Sequence, residues 1–329
     1  MHARATDPLE GVLHEARLDD FCRRFVLRRG DLEADFTGWH KRVILSPAHA
    51  FLFPRHEEDV EQVEREAAAL AVLDDVRFVP TLIGLWREPD ISPYPFLQTE
   101  RRAGTSYASL EDDLTLDQIG RVLEHLGTAT AQWHAVPIER LTGVLREAPD
   151  RELWSGGFLE SASLRPQLEH AAERLAAVLP DDIAPRASWV DVWHATLSPV
   201  TELEPVFTHG DVHETQLLVD DDLSLLAVLD WDHAGVAHPT RDFNFGEWGF
   251  GIFSWEEHFD VLYERYWEAY RQARDVALPD HRSLLLYRVL HDAVRETDRL
   301  VGGPSSWWSA HRLRNCALHI KNVTESSSA

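Results

Sequence analysis

Positive charge is what this sequence is short of. It has 32 Lys+Arg against 56 Asp+Glu, for a formal charge of −24. Nucleic acid is therefore excluded as a partner, because binding it takes a basic face that neutralises phosphates. The acidity either keeps the chain soluble or steers cationic small molecules toward it. Cysteine is scarce too. Cys22 and Cys316 are the only two, which rules out a disulfide framework and a cysteine-rich zinc site. No apolar run approaches the roughly 18 residues of a membrane span. The opening MHARATDPLEG lacks the apolar core of a signal peptide, so the expectation is a cytoplasmic protein with no membrane partner. Internal repeats and low-complexity tracts are also missing. What is present is 44% hydrophobic residues with 12 tryptophans over 329 residues, enough for a large packed core.

The chain changes texture near residue 100. Asp7-Pro8 reads as a helix start, with an apolar stripe running to about Leu27. Strand-like pieces follow at Trp39 to Leu45 and Ala50 to Phe53. Glu57 to Leu73 has apolar residues at helical spacing and acids in its first turns. Thr81 to Trp86 and Phe96 to Glu100 are two more strands. Beyond Gly104 the pattern is mostly helical, at Thr115 to His134, Leu164 to Leu179, Ser188 to Leu197, Ser254 to Ala273, Pro279 to Leu300 and Ser305 to Val323. The expected fold class is α+β: a small strand-rich N-lobe at residues 1–100, then a larger helical C-lobe at 101–329, with a ligand cleft between them.

One stretch, Phe207 to Asp232, organises the chemistry. Gln216 to Val219 and Leu225 to Leu229 are short apolar runs joined by Asp220-Asp221-Asp222-Leu223-Ser224, which reads as a β-hairpin. A centre near Asp222–Leu223 places Gln216 opposite Asp230. Two oxygen donors at a hairpin mouth suit a hard cation such as Mg²⁺. Asp211 enters that mouth five residues before Gln216. A carboxylate base beside a two-ligand metal seat is what phosphoryl transfer to a hydroxyl requires.

These residues carry a family resemblance. His209-Gly210-Asp211-x-His213, an acidic turn, then Val228-Leu229-Asp230-Trp231 resembles the aminoglycoside phosphotransferase family of protein-kinase-like small-molecule kinases, including its macrolide branch. His238-Pro239-x-x-Asp242 resembles that family's Gly-Asp-Pro-x-x-Asp stretch. The resemblance implies a bilobal protein-kinase-like fold using ATP or GTP with Mg²⁺. It implies Asp211 as base, Gln216 and Asp230 as metal ligands, and His209 and Asp242 as braces of the catalytic loop. Glu66 matches the helix glutamate that pairs with a phosphate-binding lysine. That lysine's usual position holds Leu52, and Lys41, Arg42 or Arg55 are left as replacements, with Arg55 assigned to the nucleotide site. Pro95 to Arg101 resembles the interlobe hinge, so Gln98, Thr99, Glu100 and Arg101 are expected at the nucleotide base. The phosphate-covering loop is expected near Asp35 to Gly38. Gln216 departs from the family's usual Asn but offers the same amide oxygen.

Function follows as expectation: phosphorylation of a hydroxyl on an aminoglycoside-like cationic antibiotic, conferring resistance. The alternatives are a macrolide acceptor and, in another class, an inactive kinase fold that binds nucleotide. His209, Asp211 and His213 also spell a His-x-Asp-x-His cluster of the kind a metallohydrolase uses. Glu247, Trp248, Asp292 and Glu296, with Asp298, are the candidates for binding the acceptor. Asp232 reads as a solvated acid and Asp220 to Asp222 as turn chemistry.

Overall fold

Alternating apolar residues build the N-terminal sheet. The structure, a computed structural model, describes residues 8–36, 38, 40–149, 164–243, 259–274, 278–302 and 307–326. Strands β1 (Glu33–Asp35), β2 (Lys41–Leu45), β3 (His49–Pro54), β4 (Leu82–Trp86) and β5 (Phe96–Glu100) form one antiparallel sheet in the order β1-β2-β3-β5-β4. Its outer face carries Ile44, Phe51, Phe53 and Phe96 against Phe21 of helix α1 (Glu15–Arg24). Phe21 meets Phe51 edge-on at 4.8 Å. Burying one such ring is worth about 2–3 kcal/mol. The inner face carries Leu52 and Leu97 against helix α2 (Val60–Val72). Pleating thus sends neighbouring residues to opposite sides, and the cleft chemistry falls on the inner side.

The first helix begins later than its stripe suggests. Pro8–Gly11 is a 3₁₀ turn, and α1 starts at Glu15 after His14 takes an extended conformation. Glycine is a poor helix former, and the break follows Gly11. The start expected at Asp7 lies outside the described residues.

The chain leaves the sheet after Glu100, β6 (Thr105–Ser106) already pairs with β8 (Leu217–Val219), and β7 (Val206–Thr208) leads into the loop before β8. Helix α3 (Leu116–His134) opens with a capping box. Thr115 Oγ1 accepts from the Gln118 N–H, and Gln118 Oε1 accepts from the Thr115 N–H at 2.9 Å, together worth about 1 kcal/mol. Gly127 on α3 lets helix α6 (Phe259–Ala273) come close, since a Cβ there would lie 2.2 Å from the Tyr266 carbonyl oxygen. Helices α4 (Leu164–Val178), α5 (Trp189–Thr201), α7 (His281–Gly302) and α8 (Trp307–Ser326) complete the helical lobe. The start expected for α6 at Ser254 is outside the described residues. No described helix is long and apolar enough to cross a membrane.

The hairpin forms as expected but one residue out of register. Strands β8 and β9 (Leu225–Val228) pair Leu217 with Val228, and the Leu229 N–H donates to the Gln216 carbonyl at 2.9 Å. Gln216 therefore faces Leu229, not Asp230. The Asp220 carboxylate accepts from the Asp222 and Ser224 N–H groups, and Leu223 is left-handed at φ 63°. A register shift lies between Leu218 and Val219. Such bulges insert an extra residue on one strand and displace every pair beyond them.

Candidate active site

The loop entered at His209 hangs from one buried carboxylate. Asp242, with no exposed surface, ends a 3₁₀ turn at Pro239–Asp242. Its Oδ1 accepts from the Gly210 N–H at 2.7 Å. Its Oδ2 accepts from the His209 N–H at 2.8 Å, Trp133 Nε1 at 2.7 Å and His134 Nε2 at 3.0 Å. Burial alone would raise this carboxyl, but the His134 hydrogen bond and the donors around it hold it below its ordinary value. Gly210 follows at φ +89°, where a Cβ would lie 2.6 Å from the His233 carbonyl oxygen, so only glycine turns the chain here. His209 Nε2 donates to the Leu229 carbonyl at 2.8 Å, and its Nδ1 accepts from the Asp211 N–H at 3.3 Å. His209 is buried and held neutral by that burial. Both ring nitrogens are engaged, so His209 is a brace and not a zinc ligand. Among the described residues no group of three or more His, Cys, Asp or Glu is arranged to hold a metal. Asp211 emerges from this strapped loop half-buried.

Asp230 follows Leu229 in a left-handed conformation, φ 68° and ψ 62°. Aspartate tolerates that region better than most residues. It turns the carboxylate toward Lys41, whose Nζ bonds Asp230 Oδ1 and lies 2.6 Å from Glu66 Oε2 and 3.3 Å from Asp232 Oδ2. Burial would lower the lysine's pKa, but Asp230, Asp232 and Glu66 carry it well above its ordinary value. Asp230 is pulled below its ordinary value, since Lys41 outweighs the burial that would raise it. Burial, with Asp230 next to it, pushes Asp232 well up. Asp232 is thus not the solvated acid its sequence context suggests: it is 2% exposed.

Helix α2 is pinned across the cleft to this cluster. Glu66 also accepts a hydrogen bond from the Trp231 backbone. Arg65, 6% exposed, donates to the carbonyls of Val144, Glu147 and Ala234. Arg65, Trp133 and His134 carry no assignment from the sequence, and Lys41 stands there only as one of three candidates to replace the phosphate-binding lysine. Strand alternation was the one signal available, and only for Lys41, which shares a face with Val43 and not with Ile44.

Several expected residues sit elsewhere. Arg55 donates to the carbonyls of Phe36 at 2.6 Å and Gly38 at 3.0 Å, so it staples the β1–β2 loop and does not pair with Glu66. Gln98 faces outward, where its Oε1 accepts from Trp86 Nε1 at 2.9 Å. The Glu100 and Arg101 N–H groups are spent on the Thr81 and Ala48 carbonyls, each at 2.9 Å. Those donors are not offered to a base, because Phe96–Glu100 is a paired sheet strand. Of the four, Thr99 alone is buried toward the inner face. Asp292, Glu296 and Asp298 fall on α7, but their side chains, and all of Glu247 and Trp248, lie outside the described residues.

Gln216 ends the 3₁₀ turn Glu214–Gln216, 4% exposed. Its Oε1 accepts from the His213 N–H at 3.2 Å, while Nε2 has no hydrogen-bond partner among the described residues. An amide oxygen has a second lone pair. With the Asp230 carboxylate, 38% exposed on its side chain, it makes a set of hard oxygen donors. Mg²⁺ takes few protein oxygens and keeps waters and phosphates for the rest, so the residues fit it.

The matching profile is the phosphotransferase enzyme family, over residues 15–287. The chain belongs to that family. Its fold agrees. The GDP complex of aminoglycoside 2'-phosphotransferase-IIIa superposes with a TM-score of 0.59 at 17% identity, covering 94% of this chain and 99% of the other. Macrolide 2'-phosphotransferase type I gives 0.54 at 18% identity, with 93% and 96% covered. The streptomycin–ATP ternary complex of APH(2")-IIa gives 0.54 at 13% identity, with 92% and 97% covered. The protein is a kinase-type phosphotransferase with a bilobal, protein-kinase-like fold.

The phosphotransferase carries a second buried acid on the catalytic loop. Glu214 is 9% exposed, its Oε2 has no hydrogen-bond partner among the described residues, and burial pushes its carboxyl up to about 7. The folded state therefore holds this proton more tightly than the unfolded chain. The stabilisation is complete below the unfolded value near 4.5 and is lost as pH rises through about 7. Glu214→Gln is expected to be more stable than the wild type by about 2–3 kcal/mol at pH 8 and nearly equal to it at pH 4. Urea melts at the two pH values measure this.

Proposed function

We propose that the phosphotransferase moves the γ-phosphoryl group of ATP or GTP to a hydroxyl of a cationic, aminoglycoside-like antibiotic, and so confers resistance. The observation that supports this is the Asp242 clamp, whose bonds to the His209 and Gly210 N–H groups hold the loop that presents Asp211. Asp211 accepts the acceptor hydroxyl's hydrogen bond and takes its proton as the oxygen attacks phosphorus and the diphosphate leaves. Gln216 and Asp230 would hold Mg²⁺, which when bound supplies neutralisation of the phosphate charge. His209 holds the loop by its bond to Leu229. The formal charge of −24 favours a cationic acceptor.

A macrolide acceptor is the second reading, supported by the likeness to macrolide 2'-phosphotransferase type I. Nucleotide consumption with Mg²⁺, measured across aminoglycosides and macrolides, tests both. Stimulation by an aminoglycoside supports the first reading, and stimulation by a macrolide alone replaces it with the second. Tight nucleotide binding with no stimulation by any acceptor supports an inactive kinase fold.

A further inference from the structure

The cleft wall is acidic. Glu66, Asp230 and Asp232 gather around one ammonium, and Asp211 lies close enough for its charge to bear on Asp232. A nucleotide adds more negative charge, so binding it takes a protein cation besides any divalent ion. Strands β2 and β3, with the residue that follows β3, carry three Lys or Arg side chains. Arg42 follows the outer-face parity of Ile44 and pairs across the sheet with Phe53. Arg55 is committed to the Phe36 and Gly38 carbonyls. Lys41 is 6% exposed, faces inward, and touches all three carboxylates.

We infer that Lys41, delivered from β2, is the residue that binds the nucleotide phosphates, in place of a cation on β3, where Leu52 stands. The inference rests on the nucleotide-transfer reading. Register pairs Lys41 with Pro54 and Val43 with Leu52, so Lys41 and Leu52 project from the same face of neighbouring strands. Same-face positions two residues apart on a strand are separated by roughly 7 Å, which a lysine's flexible four-carbon stem spans. The ammonium therefore reaches Glu66 from the neighbouring strand, and the apolar Leu52 packs toward Leu97, its partner on β5. Asp232 is a second tether, keeping a carboxylate on Lys41 when Asp230 turns to a metal.

The test moves the lysine back. Wild type, Lys41→Met, Arg42→Met and the double variant Lys41→Met/Leu52→Lys are compared by nucleotide turnover with Mg²⁺, by calorimetric binding of metal-free ADP and GDP, and by near-ultraviolet circular dichroism. Lys41→Met is expected to lose turnover by roughly a hundredfold or more, the scale of removing one fixed charge donor from a transferring group. It is expected to weaken diphosphate binding about tenfold. The double variant regains about tenfold of the lost turnover, and Arg42→Met matches wild type. Lys41→Met with turnover and affinity intact overturns the inference, as does a folded double variant no better than Lys41→Met. If Lys41→Met alone does not fold, turnover by the folded double variant supports the inference and its failure overturns it. Wild type that binds neither diphosphate overturns the phosphotransfer reading itself, a result distinct from either failure above.

Discussion

Asp211→Asn is expected to lower turnover roughly a thousandfold, within the range for losing a positioned general base. The amide keeps the side chain's size but cannot take a proton at neutral pH. Nucleotide affinity and fold should hold, because the loop is strapped through the backbone N–H groups of His209 and Gly210. Steady-state kinetics beside nucleotide calorimetry read this split: turnover falls and the dissociation constant does not. Turnover within a few-fold of wild type would remove Asp211 from the reaction.

The second large effect is on stability. Asp242→Ala strips the partner from Trp133 Nε1, His134 Nε2 and the His209 and Gly210 N–H groups, in a place with no exposed surface. Each buried donor left without its partner costs about 1–3 kcal/mol. His134 is locked from its other side, with Nδ1 at 2.9 Å from the Tyr270 hydroxyl, which accepts from Arg274 at 2.6 Å. Losing Asp242 therefore loosens α3, α6 and the catalytic loop together. Guanidinium melts should show a midpoint far below wild type. A midpoint unchanged from wild type would mean the clamp does not support the fold. The Asp242 carboxyl is held low in the folded state, so its contribution is present above the unfolded value near 3.8 and fades as pH falls through the lower folded one.

Local chemistry made much of this site legible in the sequence. Asp211, Gln216 and Asp230 stand out because an acidic turn between two apolar runs can only be a tight connection, and the helices show their period. What stayed hidden is tertiary. Leu223 adopts the left-handed turn without the glycine that usually signals it, so the hairpin register reads one residue off. Gln98 to Arg101 read as a hinge because a strand and the chain leaving it look alike until the sheet's order is known. Trp133 and His134 read as the end of a helix. Only the fold brings them to Asp242, more than a hundred residues on. Lys41 could be placed on the right face by alternation, but its meeting with Glu66 depends on how β2 pairs with β3 and how α2 lies across them. Asp232 reads as solvated because nothing in Asp-Trp-Asp announces that α2 will cover it.

The central claim is that this loop drives phosphoryl transfer to an acceptor hydroxyl. Phosphorus NMR of an antibiotic acceptor incubated with ATP or GTP, Mg²⁺ and enzyme tests it most directly. The account predicts a new phosphomonoester on the acceptor with wild type and none over the same interval with Asp211→Asn. Equal amounts of ester from both proteins, or release of inorganic phosphate with no ester from wild type, would contradict it.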